Sequence, residues 1–272
     1  MKRILLALDQ EKWNKDVVDF GCYLAKLSKS KVTGIFFQHP KDNLLETIIY
    51  KGNNHNRSDK LTASQPLEAL SVKRFSEACI CRDTSYSIRE GHMATKEELI
   101  EETRFADLMV IDPALSLKHE IELSPTKVVK DIVQHAHCPV LLVPESFNEI
   151  SEVIFTYDGS RSAVYAIKQF TYLFPQFINS KITVLEVNPD GTREIVEEQK
   201  SMEWMNTHYA HVNYAIPSGN PADKLIKYLL PRHNAIVIMG AYGRNFLSRI
   251  FKTSAAGSVT STVTSPVFIT HY

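Results

Sequence analysis

The chain has little glycine and proline, no excess of either charge and no long apolar run. Its 10 glycines and 12 prolines among 272 residues exclude collagen-like and linker-like chains. Its 31 basic and 31 acidic side chains cancel, so the basic excess typical of nucleic-acid binders is missing. No apolar run approaches the roughly 18 residues of a transmembrane helix. With 44% hydrophobic residues, the composition is that of a globular protein, and we expect neither a nucleic acid nor a membrane as partner.

Cysteine is also scarce, and its four positions all lie within the first 138 residues: Cys22, Cys79, Cys81 and Cys138. A secreted chain would spread its cysteines as disulfide staples, so we interpret these four as free thiols in a reducing compartment. The apolar residues 4–8 follow Met1-Lys2-Arg3 and stop at Asp9, which is too short for the apolar region of a signal peptide. We therefore expect a cytoplasmic protein and interpret residues 4–8 as a buried strand.

No catalytic constellation is visible, because the sequence has no GxSxG elbow, no Walker A lysine and no HExxH segment. Cys79 and Cys81 form a CxC pair, and His135, His137 and Cys138 cluster between a helix end and a strand. Neither spacing is a strong match to the usual zinc-ligand sets, and imidazoles near a helix end commonly interact with its last carbonyls. We therefore name no catalytic residue and no metal ligand.

The sequence contains two copies of one plan. Residues 4–9 and 153–158 are each an apolar strand that ends in aspartate, and a helix with apolar residues at helical spacing follows each. Later strands match in pairs and in the same order: 32–37 with 182–187, 86–89 with 212–216, 107–111 with 235–239, and 139–143 with 266–269. One element is missing or degenerate between the second and third strands. Strands that alternate with helices predict an α/β fold with a parallel sheet.

The boundary between the copies falls near residues 144–150, which predicts two domains, 1–145 and 151–272. The offset between the copies falls from 149 residues at their first aspartates to 127 at their last prolines. The first domain therefore carries about 22 additional residues, in the polar stretch around 51–60.

Ligands of open α/β sheets bind outside the carboxyl ends of the strands, where the strand order reverses. In the second copy, Asp158 follows the first strand, and Gly240 and Gly243 follow the fourth, where glycine lets the backbone approach a ligand. Thr253 and Ser254 open the last helix, whose free amide groups and dipole favour an anion. Together these residues predict a phosphate cradle, with Asp158 at the other end of a nucleotide.

These motifs, with the closing Pro266-Val-Phe-Ile segment, resemble the universal stress protein family in its tandem-domain form. The resemblance implies two doubly wound five-stranded parallel sheets, each with strand order 3-2-1-4-5 and helices on both faces, of the adenine-nucleotide α-hydrolase-like class. It also implies that the last strands of the two domains pair antiparallel within the chain, which makes an intrachain pseudo-dimer.

ATP-binding members of that family carry G-x2-G-x9-G-[ST]. This chain matches Gly240, Gly243 and Ser254 but has Thr253 in place of the third glycine. The resemblance implies that Asp158 and Val187 lie along the adenosine. It places Met239 and Gly240 at the ribose, and Gly243, Thr253 and Ser254 at the phosphates. Thr253 weakens the site if glycine's backbone freedom is needed there, and it is tolerated if the position is an ordinary N-cap.

The first copy keeps Asp9 but has Asp112-Pro113-Ala114-Leu115 where the second has its glycines. Pro113 removes a backbone donor, and Asp112 adds a negative charge where a phosphate would lie. We therefore predict a degenerate nucleotide site in the first domain and a near-intact motif in the second.

The resulting hypothesis is a cytoplasmic stress-response regulator or sensor that binds ATP or another adenine nucleotide in its second domain. Two alternatives stay open. One is a nucleotide-free scaffold that acts through protein partners, and the other is a slow ATPase or phosphoryl-transfer enzyme. The sequence also leaves open whether Mg²⁺ accompanies the nucleotide, and whether the chain is a monomeric pseudo-dimer or a homodimer.

Overall fold

A computed structural model of the chain describes residues 1–10, 12–37, 65–89, 94–116, 122–144, 149–186, 195–215, 221–240 and 265–270. The strands are β1 (Arg3–Asp9), β2 (Lys31–Phe37), β3 (Tyr86–Ile88), β4 (Leu108–Ile111), β5 (Val140–Leu142), β6 (Glu152–Tyr157), β7 (Lys181–Glu186), β8 (Val212–Ala215), β9 (Ala235–Gly240) and β10 (Val267–Thr270). The helices are α1 (Lys15–Ser28), α2 (Gln65–Cys81), α3 (Lys96–Glu102), α4 (Lys127–His135), α5 (Arg161–Leu173), α6 (Ile195–His208) and α7 (Pro221–Leu229). The additional residues predicted around 51–60 lie outside the described part of the chain.

The strands form one sheet in the order β3-β2-β1-β4-β5-β10-β9-β6-β7-β8. The two halves therefore each have the predicted order 3-2-1-4-5. Neighbouring strands are parallel except for β5 and β10, which pair antiparallel as predicted. Because this central pair is antiparallel, the carboxyl ends of β1 to β5 lie at the opposite end of the sheet from those of β6 to β10.

β1 illustrates why these strands lie in the interior of the sheet. Its residues Ile4 to Leu8 are all apolar and at most 2% exposed. Successive side chains of a strand point to opposite faces, so Ile4, Leu6 and Leu8 join one hydrophobic cluster while Leu5 and Ala7 join the other. Burial on both faces is typical of parallel strands covered by helices on each side.

The described helices divide between the two faces. Helices α1, α2, α5 and α6 pack on one face through Phe20, Phe75, Phe170 and Met205. Helices α3, α4 and α7 pack on the other through Leu99, Val129 and Leu225. None of the helices in the described residues is both long and apolar enough to cross a membrane.

Local signals set the ends of several helices. Asn14 caps α1 by accepting a hydrogen bond from the Asp16 amide at 2.9 Å, and Lys29 ends that helix in the left-handed conformation, with φ of 51°. Thr95 and Glu98 form a reciprocal capping box at the start of α3. These short polar side chains satisfy amide groups that the first turn of a helix leaves without partners.

The element expected to be missing or degenerate between the second and third strands is present in both halves, as helices α2 and α6. In α2 the buried positions include Ser71, Phe75 and Cys79, which lie four residues apart on one side of the helix. Serine and cysteine weaken the apolar pattern that sequence reasoning detects, although both side chains are buried. Helix α6 occupies the same position in the second half, with Met205 buried.

The junction between the two halves is built on β10. Its residues Val267, Phe268 and Ile269 pair with Leu142, Leu141 and Val140 of β5. Phe268 is fully buried, and its ring centre lies 5.4 Å from that of Phe170 and 6.5 Å from that of Phe174. The pairing covers two strand edges whose free amide and carbonyl groups would otherwise be open to pairing with other chains.

β9 ends at Gly240, where the strand approaches the beginning of α5. A Cβ atom at position 240 would lie 2.6 Å from the carbonyl carbon of Ser162 and 2.8 Å from its carbonyl oxygen. The obstacle is mainly helix backbone, which cannot rotate away as a flexible side chain can. Packing between strand and helix therefore requires glycine at this position.

We expect Val267→Glu to lower the free energy of unfolding by about 3 kcal/mol or more, because it places a carboxylate in the apolar junction without a partner. Urea denaturation measures this change. Ile80→Glu is the control, since Ile80 is 65% exposed on α2, and we expect it to change stability by less than about 0.5 kcal/mol. Equal losses in the two variants would contradict the buried junction.

We expect Gly240→Ala to lower the free energy of unfolding by about 1–3 kcal/mol, because the added methyl group overlaps the backbone of α5. The measurement is urea denaturation without any ligand. Unchanged stability would show that the strand and helix lie further apart than described.

Candidate functional site

The carboxyl ends of β6 and β9 form the candidate site in the second half of the sheet. The strands are parallel neighbours, and the Thr156 hydroxyl donates a hydrogen bond of 3.1 Å to the carbonyl oxygen of Ile238. β6 leads into Asp158, and β9 ends at Gly240. β7, the next strand in the chain, pairs with one edge of β6, and the later strand β9 pairs with its other edge. The site therefore lies where the strand order reverses.

Asp158 is exposed at the start of the loop between β6 and α5. Its Oδ1 accepts a hydrogen bond of 2.9 Å from the Ser160 amide. Gly159 has φ of +80°, which glycine adopts readily, and Ser160 then caps α5 by accepting from the Ala163 amide at 3.1 Å. The loop therefore holds the Asp158 carboxylate in the open, with its Oδ2 accepting no hydrogen bond from the described residues.

Met239 and Gly240 lie at the end of β9 but present different groups. The Met239 side chain is 4% exposed and belongs to a hydrophobic cluster, so its backbone is the part that can face a ligand. Gly240 pairs in register with Thr270 of β10. The Thr270 hydroxyl is buried and has no hydrogen-bond partner among the described residues. Sequence reasoning missed Thr270, because a threonine at the end of a strand carries no distinctive signal.

The structure brings together Asp158, Met239 and Gly240 at the ends of neighbouring strands. The other four predicted contacts, Val187, Gly243, Thr253 and Ser254, lie outside the described residues. Their predicted roles at the adenosine and the phosphates therefore stay predictions.

At the corresponding site of the first half, between β1 and β4, polar groups of the chain form hydrogen bonds with one another. Asp9 is only 7% exposed, and its Oδ1 accepts from the Lys12 amide at 2.9 Å. Asp112 accepts from the Asn14 side-chain amide at 2.6 Å and from the Ala114 amide at 2.7 Å. The groups near these strand ends are therefore engaged with one another.

The start of α4, where a phosphate would lie in this half, is engaged in the same way. The Thr126 amide donates to the carbonyl oxygen of Pro113 at 3.1 Å, and the Thr126 hydroxyl donates to the carbonyl oxygen of Leu115. The same hydroxyl accepts from the Val129 amide at 3.3 Å. These bonds use donors that an anion at a helix N-terminus needs.

A cavity of about 370 Å³ remains at this end of the first half. Its lining includes the carboxylates of Asp9, Asp16 and Asp112, together with Lys12 and Lys15. The three carboxylates outnumber the two ammonium groups, so the net charge of this lining repels a phosphate.

The cysteines do not converge on a metal site. Cys79 is buried and its sulfur lies 3.9 Å from that of Cys22, whereas Cys81 is exposed. Burial raises the pKa of the Cys138 thiol to about 12, so it is protonated at neutral pH. The His135 ring lies 2.8 Å from the carbonyl oxygen of Asp131. No group of three or more metal-binding side chains occurs within the described ranges.

No protein-family model matches the sequence, and a comparison with curated proteins finds no relative. The fold is similar to that of solved structures. A universal stress protein from Archaeoglobus fulgidus DSM 4304 matches with a TM-score of 0.63 and 14% identity, over 98% of each chain. A candidate universal stress protein from Pseudomonas aeruginosa UCBPP-PA14 matches with a TM-score of 0.57 and 13% identity, over 100% of this chain and 93% of that one.

A third structure, a protein of unknown function from Pseudomonas aeruginosa PAO1, matches with a TM-score of 0.56 and 12% identity. That match covers 100% of this chain and 92% of the other. Identities this low establish the likeness of the folds alone. The chain therefore has the universal stress protein fold along essentially its whole length.

Proposed function

We propose that the chain is a universal stress protein that binds ATP or another adenine nucleotide in its second half. The observation that carries the proposal is the contrast between the two aspartates that follow the first strand of each half. Asp158 is exposed at the carboxyl end of β6, whereas Asp9 is buried at the carboxyl end of β1. One half thus offers an open carboxylate where ligands of such sheets bind, and the other half does not.

The described residues fit one end of a nucleotide. An ionised carboxylate accepts hydrogen bonds from hydroxyl and amino groups, which ribose and adenine both carry. Asp158 holds this acceptor in the open, since a single amide of its own loop is its described partner. Gly240 ends the neighbouring strand β9, and the buried Thr270 hydroxyl beside it lacks a partner in the described residues.

The wider role that we propose is regulation of a stress response in the cytoplasm. A protein whose shape or partners change when ATP occupies the second half would report the energy state of the cell. The hydrogen-bonded polar groups at the site of the first half fit a division of labour, in which the second half binds the ligand and the first half has a structural role.

A thermal-shift titration with ATP–Mg²⁺ tests the proposal. At about 100 times its Kd, the nucleotide adds about 2.7 kcal/mol of stability, which corresponds to an increase in Tm of about 5–10 °C. We expect Asp158→Asn to raise the Kd about tenfold, because it removes a charged hydrogen-bond acceptor. Asp9→Asn is the matched control, and we expect it to leave the Kd unchanged.

Thr253→Gly, titrated in parallel, separates the outcomes. A saturable shift in the wild-type protein, lost selectively with Asp158→Asn, supports the proposal. A shift in Thr253→Gly but not in the wild type would contradict it and favour a nucleotide-free scaffold. If Asp9→Asn weakens ATP binding more than Asp158→Asn does, the nucleotide binds in the first half, which would contradict the proposal.

A further inference from the structure

Helices α5 and α6 are joined firmly near the end of α5. The buried hydroxyl groups of Thr171 and Tyr209, which follows α6, lie 2.6 Å apart. Burial raises the pKa of Tyr209 to about 12, so its phenol stays protonated and available for this bond. The Tyr172 and Trp204 rings lie edge to face, with centres 6.4 Å apart.

Toward the beginning of α5, the two helices flank an open cavity of about 510 Å³. Its floor is apolar, because Ile167 and Met205 are buried and Tyr157, the last residue of β6, is 3% exposed. The Tyr165 and Trp204 side chains add aromatic surface to its walls. The volume lies within the range of about 300–1,000 Å³ that small-molecule sites occupy, and an apolar lining with a few polar groups is typical of such sites.

Three cationic side chains lie around this apolar floor: Arg161, Lys168 and Lys200. None of them forms an ion pair with a described residue, although arginines elsewhere, such as Arg3 with Glu102 and Arg232 with Glu152, do so. The described lining of the cavity contains no carboxylate. Lysine and arginine extend apolar stems along such a wall and carry their charge at the rim.

In the first half, the described residues of the corresponding helices α1 and α2 contact each other closely. Phe20 of α1 and Phe75 of α2 are fully buried there. Cys22 and Cys79 bring the same two helices close, with their sulfurs 3.9 Å apart. The lining of the cavity in the second half is set by the side chains of α5 and α6.

We propose that the cavity between α5 and α6 binds a small aromatic anion. Its ring packs against Tyr165, Trp204 and Met205, and its carboxylate, sulfonate or phosphate group lies between the three cations at the rim. Aromatic side chains favour a planar apolar body, and cations without an ion-pair partner among the described residues favour an anion. The cavity adjoins the loop of Asp158, because Gly159 is part of its lining, but Asp158 and Gly240 are not, so the proposal does not rest on the nucleotide site.

The test uses 8-anilinonaphthalene-1-sulfonate, a fluorescent aromatic anion, with the full chain carrying Trp13→Phe. Trp204 is then the remaining tryptophan of the sequence, so a dye in the cavity reduces its emission by energy transfer. We expect saturable binding of one dye per chain with loss of Trp204 emission. Dye binding that leaves Trp204 emission unchanged would overturn the proposal.

Removing the rim charges gives the sharper result. We expect the triple variant Arg161→Gln, Lys168→Gln, Lys200→Gln to raise the Kd of the dye about tenfold or more, since charged hydrogen bonds are lost. N-phenyl-1-naphthylamine has the same aromatic rings without the sulfonate, and we expect the triple variant to change its Kd by less than about twofold. The control removes three exposed charges elsewhere, as Lys31→Gln, Lys130→Gln, Lys227→Gln, and leaves both dyes unaffected. Equal losses in the two triple variants would overturn the proposal.

Two further arms identify the ligand and separate the sites. Displacement of the dye by 1-naphthoate or by 1-naphthyl phosphate shows which anionic group the cavity prefers, and displacement by neither would overturn the proposal. Asp158→Asn leaves dye binding unchanged, even if that variant and the wild type both fail to bind ATP. Loss of dye binding in Asp158→Asn would instead contradict a separate site.

Discussion

The antiparallel pairing of β5 with β10 is the contact on which the rest of this sheet depends. Without it, each half would end in a short apolar strand, with the edge of Val140–Leu142 or Val267–Thr270 open to other chains. Phe268 adds an aromatic cluster with Phe170 and Phe174 beneath the pairing. The last strand of the chain therefore completes both the sheet and the core under α5, which couples the stability of the two halves.

The same pairing gives the two halves separate surfaces. Since β5 and β10 run in opposite directions, the carboxyl ends of the two sets of parallel strands lie at opposite ends of the sheet. At the first of these ends, Asp9, Asp112 and the beginning of α4 each form hydrogen bonds with nearby groups of the chain. The second presents Asp158 to solvent. The same strand order thus carries different polar groups in the two halves, because the loops that follow the strands supply the side chains at these ends.

Much of the fold could be predicted from the sequence because its signals are local. Continuous apolar runs such as residues 4–8 identify strands buried on both faces, and the aspartate at the end of each first strand aligns the two copies. Helix α2 escaped prediction because Ser71 and Cys79 share its buried stripe with Phe75. The position of the candidate site, at the ends of β6 and β9, could be predicted. Which groups are exposed or hydrogen-bonded at that position could not, because it depends on distances between segments far apart in the chain.

The sequence by itself determined the α/β class and the position of Asp158, because apolar periodicity and repeated motifs are properties of short segments. The order of the strands and the central antiparallel pair came from the resemblance of its motifs to universal stress proteins. Only the tertiary structure decided that Asp9 is buried while Asp158 is exposed, and that Gly240 must be glycine to pack on Ser162. Only the tertiary structure also shows the cavity beside Trp204. Burial, steric contact and enclosed volume arise when separate elements pack together, so no single segment encodes them.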